Sequence, residues 1–376
     1  GAPVLSPEQL RGADCGAVVL CSAYASEIRA QIEEGSLTGA RVLTCNAQRN
    51  DLTMADDAPF ALKSWHTLQV PITETCNLTC LHCENTKKGG PVSQMPLADL
   101  VRALAHFDPE QFANLMITDG GEITLVKDLP GYVEAMGSQG FRSVSFVTNG
   151  SSGRRAVMED VLKTGAVSEV LISIEAASEA LYKRIRGQSF KRLTEFLENL
   201  RAVRERLAPK AKFFFNCTCM KENIAEVPEI VSLAARYGLH GVKFVALFPV
   251  AGKLPPEKLC VPGQTLENID PAVVSSVFAR ARELGERHGL AVETPVAAPR
   301  PEDRHAGRAA CHRPSDAPRS RCPMPYQWVQ VGRGGEVHPC CQIAKSYSLG
   351  NVFEEDFRSV WESPAAKKLR DSLRPG

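Results

Sequence analysis

Cys76, Cys80 and Cys83 sit in the run Thr75-Cys76-Asn77-Leu78-Thr79-Cys80-Leu81-His82-Cys83-Glu84, directly after the strand-like stretch Thr67-Leu68-Gln69-Val70-Pro71-Ile72-Thr73. Three thiolates in one short loop can hold three irons of a cubane [4Fe–4S] cluster, leaving the fourth iron open to a small molecule. Spacing alone also admits a zinc ion on Cys80-x-x-Cys83, completed by His82 or a distant cysteine. A second group, Cys311, Cys322, Cys340 and Cys341, surrounds a different element. Gln327-Trp328-Val329-Gln330-Val331, the turn Gly332-Arg333-Gly334-Gly335 and Glu336-Val337-His338 predict a β-hairpin with cysteines at its start and finish. Vicinal cysteines rarely both ligate one ion easily, so Cys260, in a Pro-rich connection, stands as a reserve for the fourth ligand.

The elements that must position these groups alternate β and α. Apolar strands are expected near Thr67–Thr73, Leu115, Val144–Thr148, Val170–Ile174, Lys212–Cys219 and Gly241–Val245, with amphipathic helices over Leu97–Phe107, Asp128–Gln139, Arg155–Thr164, Leu193–Leu207 and Val227–Tyr237. Strands apolar on both faces suit a parallel sheet covered by helices. A further helix is expected over Pro271–His288. Ala17–Ser22, Ala25–Glu34 and Ala40–Thr44 form a short β-α-β pattern with no Gly-x-Gly-x-x-Gly loop.

With 376 residues there is room for two or three domains. The formal charge of +1, without a basic stripe, gives no support for nucleic-acid binding through phosphates. No apolar run reaches the length of a membrane span, and no signal-like stretch opens the chain. Thirteen cysteines in the expected cytoplasmic, reducing compartment point to metal ligands, not disulfides.

The cysteine loop, with His82 before its last cysteine, resembles the signature of the radical S-adenosylmethionine (radical SAM) superfamily. Further motifs follow in that family's order: Thr118-Asp119-Gly120-Gly121-Glu122, then Thr148-Asn149-Gly150, then Ser173-Ile174-Glu175, then Arg184-Ile185-Arg186-Gly187. Glu175 departs from the family's usual Asp. The hairpin and its cysteines resemble the SPASM and twitch auxiliary iron–sulfur domains, although no cysteine follows Cys341, as a two-cluster version would require.

The resemblance implies an α/β fold: a partial (βα)6 TIM-like barrel at 67–250, a small N-terminal α/β domain at 1–66, a helical linker at 251–306 and a β-hairpin/helix auxiliary-cluster domain at 307–376. It implies that Cys76, Cys80 and Cys83 bind a [4Fe–4S] cluster carrying SAM. One auxiliary [4Fe–4S] cluster would sit on Cys311, Cys322, Cys340 and Cys341. Gly120, Gly121 and Glu122 would meet the SAM amino group, Ser173 and Glu175 its ribose and methionine, and Arg186 its carboxylate. His82, Asn149 and Asn216 would complete the cofactor site.

The implied reaction is hydrogen abstraction from a small polar, sugar- or aminocyclitol-like substrate, giving oxidation or epimerisation. An electron donor such as flavodoxin or ferredoxin would be a partner. The alternatives are a maturase of ribosomal peptides or protein side chains, and a non-catalytic iron–sulfur scaffold or sensor. Cys217 and Cys219 alternate with Asn216 and Thr218. If Asn216 faces the barrel lumen, both thiols are core, the preferred reading. With opposite parity, Cys219 becomes a candidate hydrogen donor.

Overall fold

The computed structural model describes residues 17–21, 41–46, 51–54, 65–84, 91–118, 120–141, 143–151, 154–249, 256–295, 325, 328–341 and 347–372. The chain divides into two units, 1–63 and 64–376. In the first, β1 (Ala17–Cys21) pairs in parallel with β2 (Arg41–Asn46), the register a β-α-β crossover gives. A third strand, β3 (Asp51–Met54), pairs antiparallel with β2 and was not expected. The helix expected over Ala25–Glu34 lies outside the described residues.

The second unit is built on one ten-stranded sheet. Six parallel strands run in chain order: β4 (Trp65–Val70), β5 (Phe112–Ile117), β6 (Val144–Thr148), β7 (Val167–Ser173), β8 (Lys212–Cys219) and β9 (Gly241–Ala246). Between them lie α1 (Leu97–Leu104), α2 (Leu129–Ser138), α3 (Arg155–Lys163), α4 (Glu179–Arg186), α5 (Phe190–Leu207) and α6 (Val227–Arg236). This is the partial (βα)6 barrel. Helix α4 was not expected; its sequence carries three basic residues in the last turn and shows more as a motif than as an apolar stripe.

The stretch expected as a helical linker, 251–306, contributes more than a helix. After α7 (Pro271–His288) the chain turns at Gly289 and forms β10 (Ala291–Glu293), which pairs in parallel with β9. Gly241 makes that pairing feasible: a Cβ there would stand 1.9 Å from the Ala291 carbonyl oxygen. Three residues are too short a run to stand out in a sequence.

The C-terminal hairpin, β11 (Trp328–Val331) and β12 (Glu336–His338), is present as expected, with β13 (Gly350–Asn351) added beside it. It belongs to the barrel sheet. β11 pairs in parallel with β4, and the Trp328 indole Nε1 donates to Gln69 Oε1 at 2.9 Å. Helices α8 (Phe357–Trp361) and α9 (Pro364–Ser372) follow, and Phe357 packs against Phe107 and Phe112 of the barrel.

Strand parity separates two faces. Leu68, Val70, Leu115, Ile117, Phe146, Val170, Ile172, Phe213 and Phe215 are wholly buried against the helices. The alternate positions form the lumen, and several are polar: Thr67, Gln69, Ser145, Glu169, Asn216 and Lys243. Burying apolar area on the helix side stabilises the sheet at about 25 cal/mol per Å2. The lumen carries the chemistry.

Candidate functional site

The cysteine loop leaves the carboxyl end of β4, where parallel-barrel sites gather. Two backbone bonds clamp its middle: Leu81 N donates to the Ile185 carbonyl at 2.8 Å, and Leu259 N donates to the Leu81 carbonyl at 2.7 Å. Cys80 is buried, and Cys76 and Cys83 are half-buried. Burial pushes the Cys80 thiol up to about 11 and raises Cys76 as well; the neighbouring thiols add to both shifts, so the three side chains feel one another electrostatically. Among the described residues, no three His, Cys, Asp or Glu side chains converge as ligands of a single metal ion.

The Gly120-Gly121-Glu122 turn after β5 lies directly on this loop. Glu122 N donates to the Thr75 carbonyl at 2.9 Å, and a Cβ on Gly121 would stand 2.4 Å from the Thr73 carbonyl oxygen. Gly120 has φ +77°, a conformation that favours glycine. Glu122 itself is 2% exposed. Its Oε1 accepts from Thr124 N at 3.1 Å, Thr124 Oγ1 at 2.5 Å and Thr148 Oγ1 at 2.6 Å, and its Oε2 accepts from Asn149 N at 2.6 Å. Four neutral donors thus hold this carboxylate.

Asn149, at the end of β6, ties that corner to the cysteines. Its Nδ2 donates to Asn77 Oδ1 at 2.9 Å and stands 3.9 Å from Cys76 Sγ. Its Oδ1 accepts from Ser151 N and Oγ at 2.9 and 2.7 Å. Ser173 ends β7, half-buried, in register with Asn216 of β8.

Glu175 and Arg186 meet each other. Arg186 Nη1 donates to Glu175 Oε2 at 2.7 Å, and both side chains are buried. His82 Nε2 stands 3.5 Å from Glu175 Oε1. Burial holds the imidazole below its usual range, against the pull of Glu175. Burial also opposes the charge on Arg186, yet Cys80, Glu175 and Tyr182 around it hold its pKa above the usual guanidinium value. The resemblance gave Arg186 to an external carboxylate; the structure pairs it with an internal one.

Cys217 and Cys219 are wholly buried in the core with Phe213 and Phe215, while Asn216 and Thr218 are half-buried on the other face. Cys219 Sγ lies 3.9 Å from the Cys217 carbonyl, on the helix side of the sheet. Cys260 is equally buried, packed with Leu81, Ile185, Met220 and Leu247 beside the first loop. Cys340 is buried and Cys341 half-buried after the hairpin. Cys311 and Cys322 lie outside the described residues.

Sequence reasoning missed two residues. Asn223, wholly buried, donates from Nδ2 to the carbonyls of Glu175 and Thr218 at 2.9 Å and accepts from Met220 N, joining the ends of β7 and β8. Lys258, 6% exposed, donates from Nζ to the carbonyls of Cys80 and Cys83 at 2.9 and 2.8 Å. A buried lysine in a Pro-rich connection carries no motif that would have singled it out. A cavity of about 200 Å3 between α3 and α5 is lined by Thr124, Thr148 and Gly150 beside Glu122, and by Arg154, Met158 and Phe196 among others.

The residues fit a cluster and a bound cofactor. Beside three thiols from one loop, the buried His82 Nδ1 and Arg186 Nε have no hydrogen-bond partner among the described residues. Such atoms in a polar rim call for a ligand or water.

A parallel partial barrel whose first strand ends in a three-cysteine loop defines a class of cluster-binding barrel proteins. Family models place this one within it. The model described as the radical SAM superfamily matches residues 70–234, and the SPASM model, described as an iron-sulfur cluster-binding domain, matches 322–375. The chain belongs to the radical SAM superfamily and carries a C-terminal SPASM domain. SAM and a [4Fe–4S] cluster are therefore its cofactors, with auxiliary iron–sulfur binding in the SPASM domain.

Among curated proteins, it is 28% identical over 196 residues to a probable GTP 3′,8-cyclase of Saccharolobus islandicus, covering 50% of this chain and 59% of the relative. The corresponding protein of Sulfolobus acidocaldarius is 24% identical over 184 residues, covering 49% and 56%. The chain thus spans little more than half the length of these relatives. Among solved structures, SuiB of Streptococcus suis bound to S-adenosylmethionine superposes with a TM-score of 0.61 at 15% identity, covering 82% of this chain and 68% of that one. The protein anSMEcpe with bound AdoMet and a peptide gives a TM-score of 0.56 at 15% identity, covering 82% and 84%. At these identities the likeness is one of fold. No helix among the described residues is long and apolar enough to cross a membrane.

Proposed function

We propose that this radical SAM protein abstracts a hydrogen atom from a small polar, sugar- or aminocyclitol-like substrate and oxidises or epimerises it, with oxidation preferred. The observation that carries this reading is the polar barrel lumen. Gln69 bridges Trp328 and the Thr118 carbonyl, and Lys243 Nζ holds both oxygens of Glu169 at 2.8 Å. Ser145 Oγ is buried with no hydrogen-bond partner among the described residues. Such a lumen rewards a substrate rich in hydroxyl or amino groups, because desolvated polar groups need partners. The curated relatives carry a name that also specifies a small polar molecule, GTP.

Cys76, Cys80 and Cys83 would hold the cluster and SAM, which would supply hydrogen-abstracting radical chemistry with an electron from a flavodoxin- or ferredoxin-type donor. The chain's own part is to position and seal. Arg186 Nε stands ready to donate at the rim, and His82 Nδ1 to donate or accept according to its tautomer. Glu122 holds the Gly-Gly turn against the cysteine loop, so that turn can present backbone groups to the SAM amino end. Ser173 and Asn216 face the lumen beyond it. With Cys219 on the core side, no thiol on β8 serves as hydrogen donor. One auxiliary cluster on Cys322, Cys340, Cys341 and Cys311 would take the second electron of an oxidation.

The test is anaerobic incubation of the reconstituted protein with SAM and reductant. 5′-Deoxyadenosine formation should rise severalfold on adding sugar or aminocyclitol candidates. It should vanish when Cys76, Cys80 and Cys83 are all changed to Ala, while iron remains on the SPASM domain. Stimulation by peptides alone would overturn the small-substrate reading.

A further inference from the structure

Lys258 lies outside both family matches, 178 residues from Cys80 in sequence, yet its ammonium bonds the carbonyls of two cluster-loop cysteines. The two residues that follow it fix it there. Leu259 N is bound to the Leu81 carbonyl, and Cys260 is buried against Leu81, Ile185 and Met220. A short strap, residues 258–260, therefore crosses the loop from behind. Arg186 also bears on the Cys76 and Cys80 thiols, and it is committed to Glu175.

We infer that Lys258 is an electrostatic positioning residue for the first cluster: a fixed buried charge that makes the cluster easier to reduce and aligns the loop that holds it. Three thiolates on a [4Fe–4S] core of charge 2+ carry a net charge of −1. One electron from the donor makes it −2, with no bond formed or broken. A positive charge held beside the ligands stabilises the second state more than the first, and solvent screens it little because it is buried. Without the ammonium, the two carbonyl oxygens it binds would lose that partner beside the more negative cluster. Arginine would conserve the charge, glutamine the hydrogen bonding and methionine the bulk alone.

The test is a redox titration of reconstituted holoenzyme with dithionite, followed by electron paramagnetic resonance. The signal that changes shape on SAM addition belongs to the first cluster, which separates it from the auxiliary one. Lys258→Met and Lys258→Gln should each disfavour reduction at least tenfold, about 59 mV lower for a one-electron couple. Lys258→Arg should stay within half that shift of wild type. If neither neutral variant retains the SAM-sensitive signal, the arginine variant decides: a wild-type potential upholds the inference and a tenfold loss overturns it. A wild-type potential in Lys258→Gln would also overturn it, since the bonds alone would then suffice.

Discussion

Two carboxylates stand at the same rim, each 2% exposed, and the protein secures them in opposite ways. Glu122 is held by two hydroxyls and two backbone N–H groups, with no ion pair among the described residues. Glu175 is held by the guanidinium of Arg186, with His82 close by. The neutral cage is made of short hydroxyl side chains and backbone N–H groups just after β5 and at the end of β6. The ionic corner joins the end of β7, the last turn of α4 and the cysteine loop, so it ties three elements together. The difference teaches that one carboxylate sets a turn and the other sets a junction.

Breaking the junction should cost most. Arg186→Met leaves Glu175 buried without its main partner, a loss of about 3–5 kcal/mol in unfolding free energy of the metal-free protein. The double variant Glu175→Leu with Arg186→Met should lose much less than the sum of the single changes, and additive losses in urea titration would refute the pairing. Glu122→Gln comes next, at about 1–3 kcal/mol, because the new amide NH2 must face a donor. SAM affinity should fall with it as the Gly-Gly turn shifts, which equilibrium binding would measure. If Glu122→Gln proved the more damaging of the two, the comparison would be reversed.

Cys219→Ala offers a control on the opposite face of the sheet, with about 1 kcal/mol lost and 5′-deoxyadenosine formation retained. Product that disappears while 5′-deoxyadenosine persists would place a thiol in the reaction after all. The smallest effect is one of pH. His82 is kept neutral by burial, with its pKa below the ordinary 6.5. The unfolded chain therefore takes up this proton first as pH falls, so the contribution is present above pH 6.5 and is lost as pH drops through the folded value. His82→Phe should flatten that part of the stability profile of the metal-free protein, whereas Glu122→Gln should leave it in place.

Much of this was legible in the residues. Cysteine spacing, apolar runs ending in Gly-Gly-Glu and Thr-Asn-Gly, and the capped helix Pro271–His288 are local signals, and the barrel order followed from them. The alternation Asn216, Cys217, Thr218, Cys219 put both thiols on one face, with the core the preferred side; which face it is was fixed by the packing, which buries them on the helix side. What escaped depends on distance in sequence. The partner of Arg186, the donors around Glu122 and the acceptors of Lys258 are chosen by tertiary packing, and no periodicity encodes them. β10 escaped because three residues beside a helix cap carry too little pattern.

The pairing of β11 with β4 has a consequence for how the chain is made. Thr67 emerges from the ribosome 261 residues before Trp328, its partner across the sheet. At about 5–20 residues per second, that interval lasts roughly 13–52 s. Throughout it, one edge of the first barrel strand has no partner, and an unpaired apolar strand is a template for association with other chains. The cysteine loop that follows β4 is complete long before that edge closes. Nascent chains of this protein thus pass through a stage in which the cluster ligands exist on an open sheet, when chaperone capture and cluster insertion compete for the same half-built barrel.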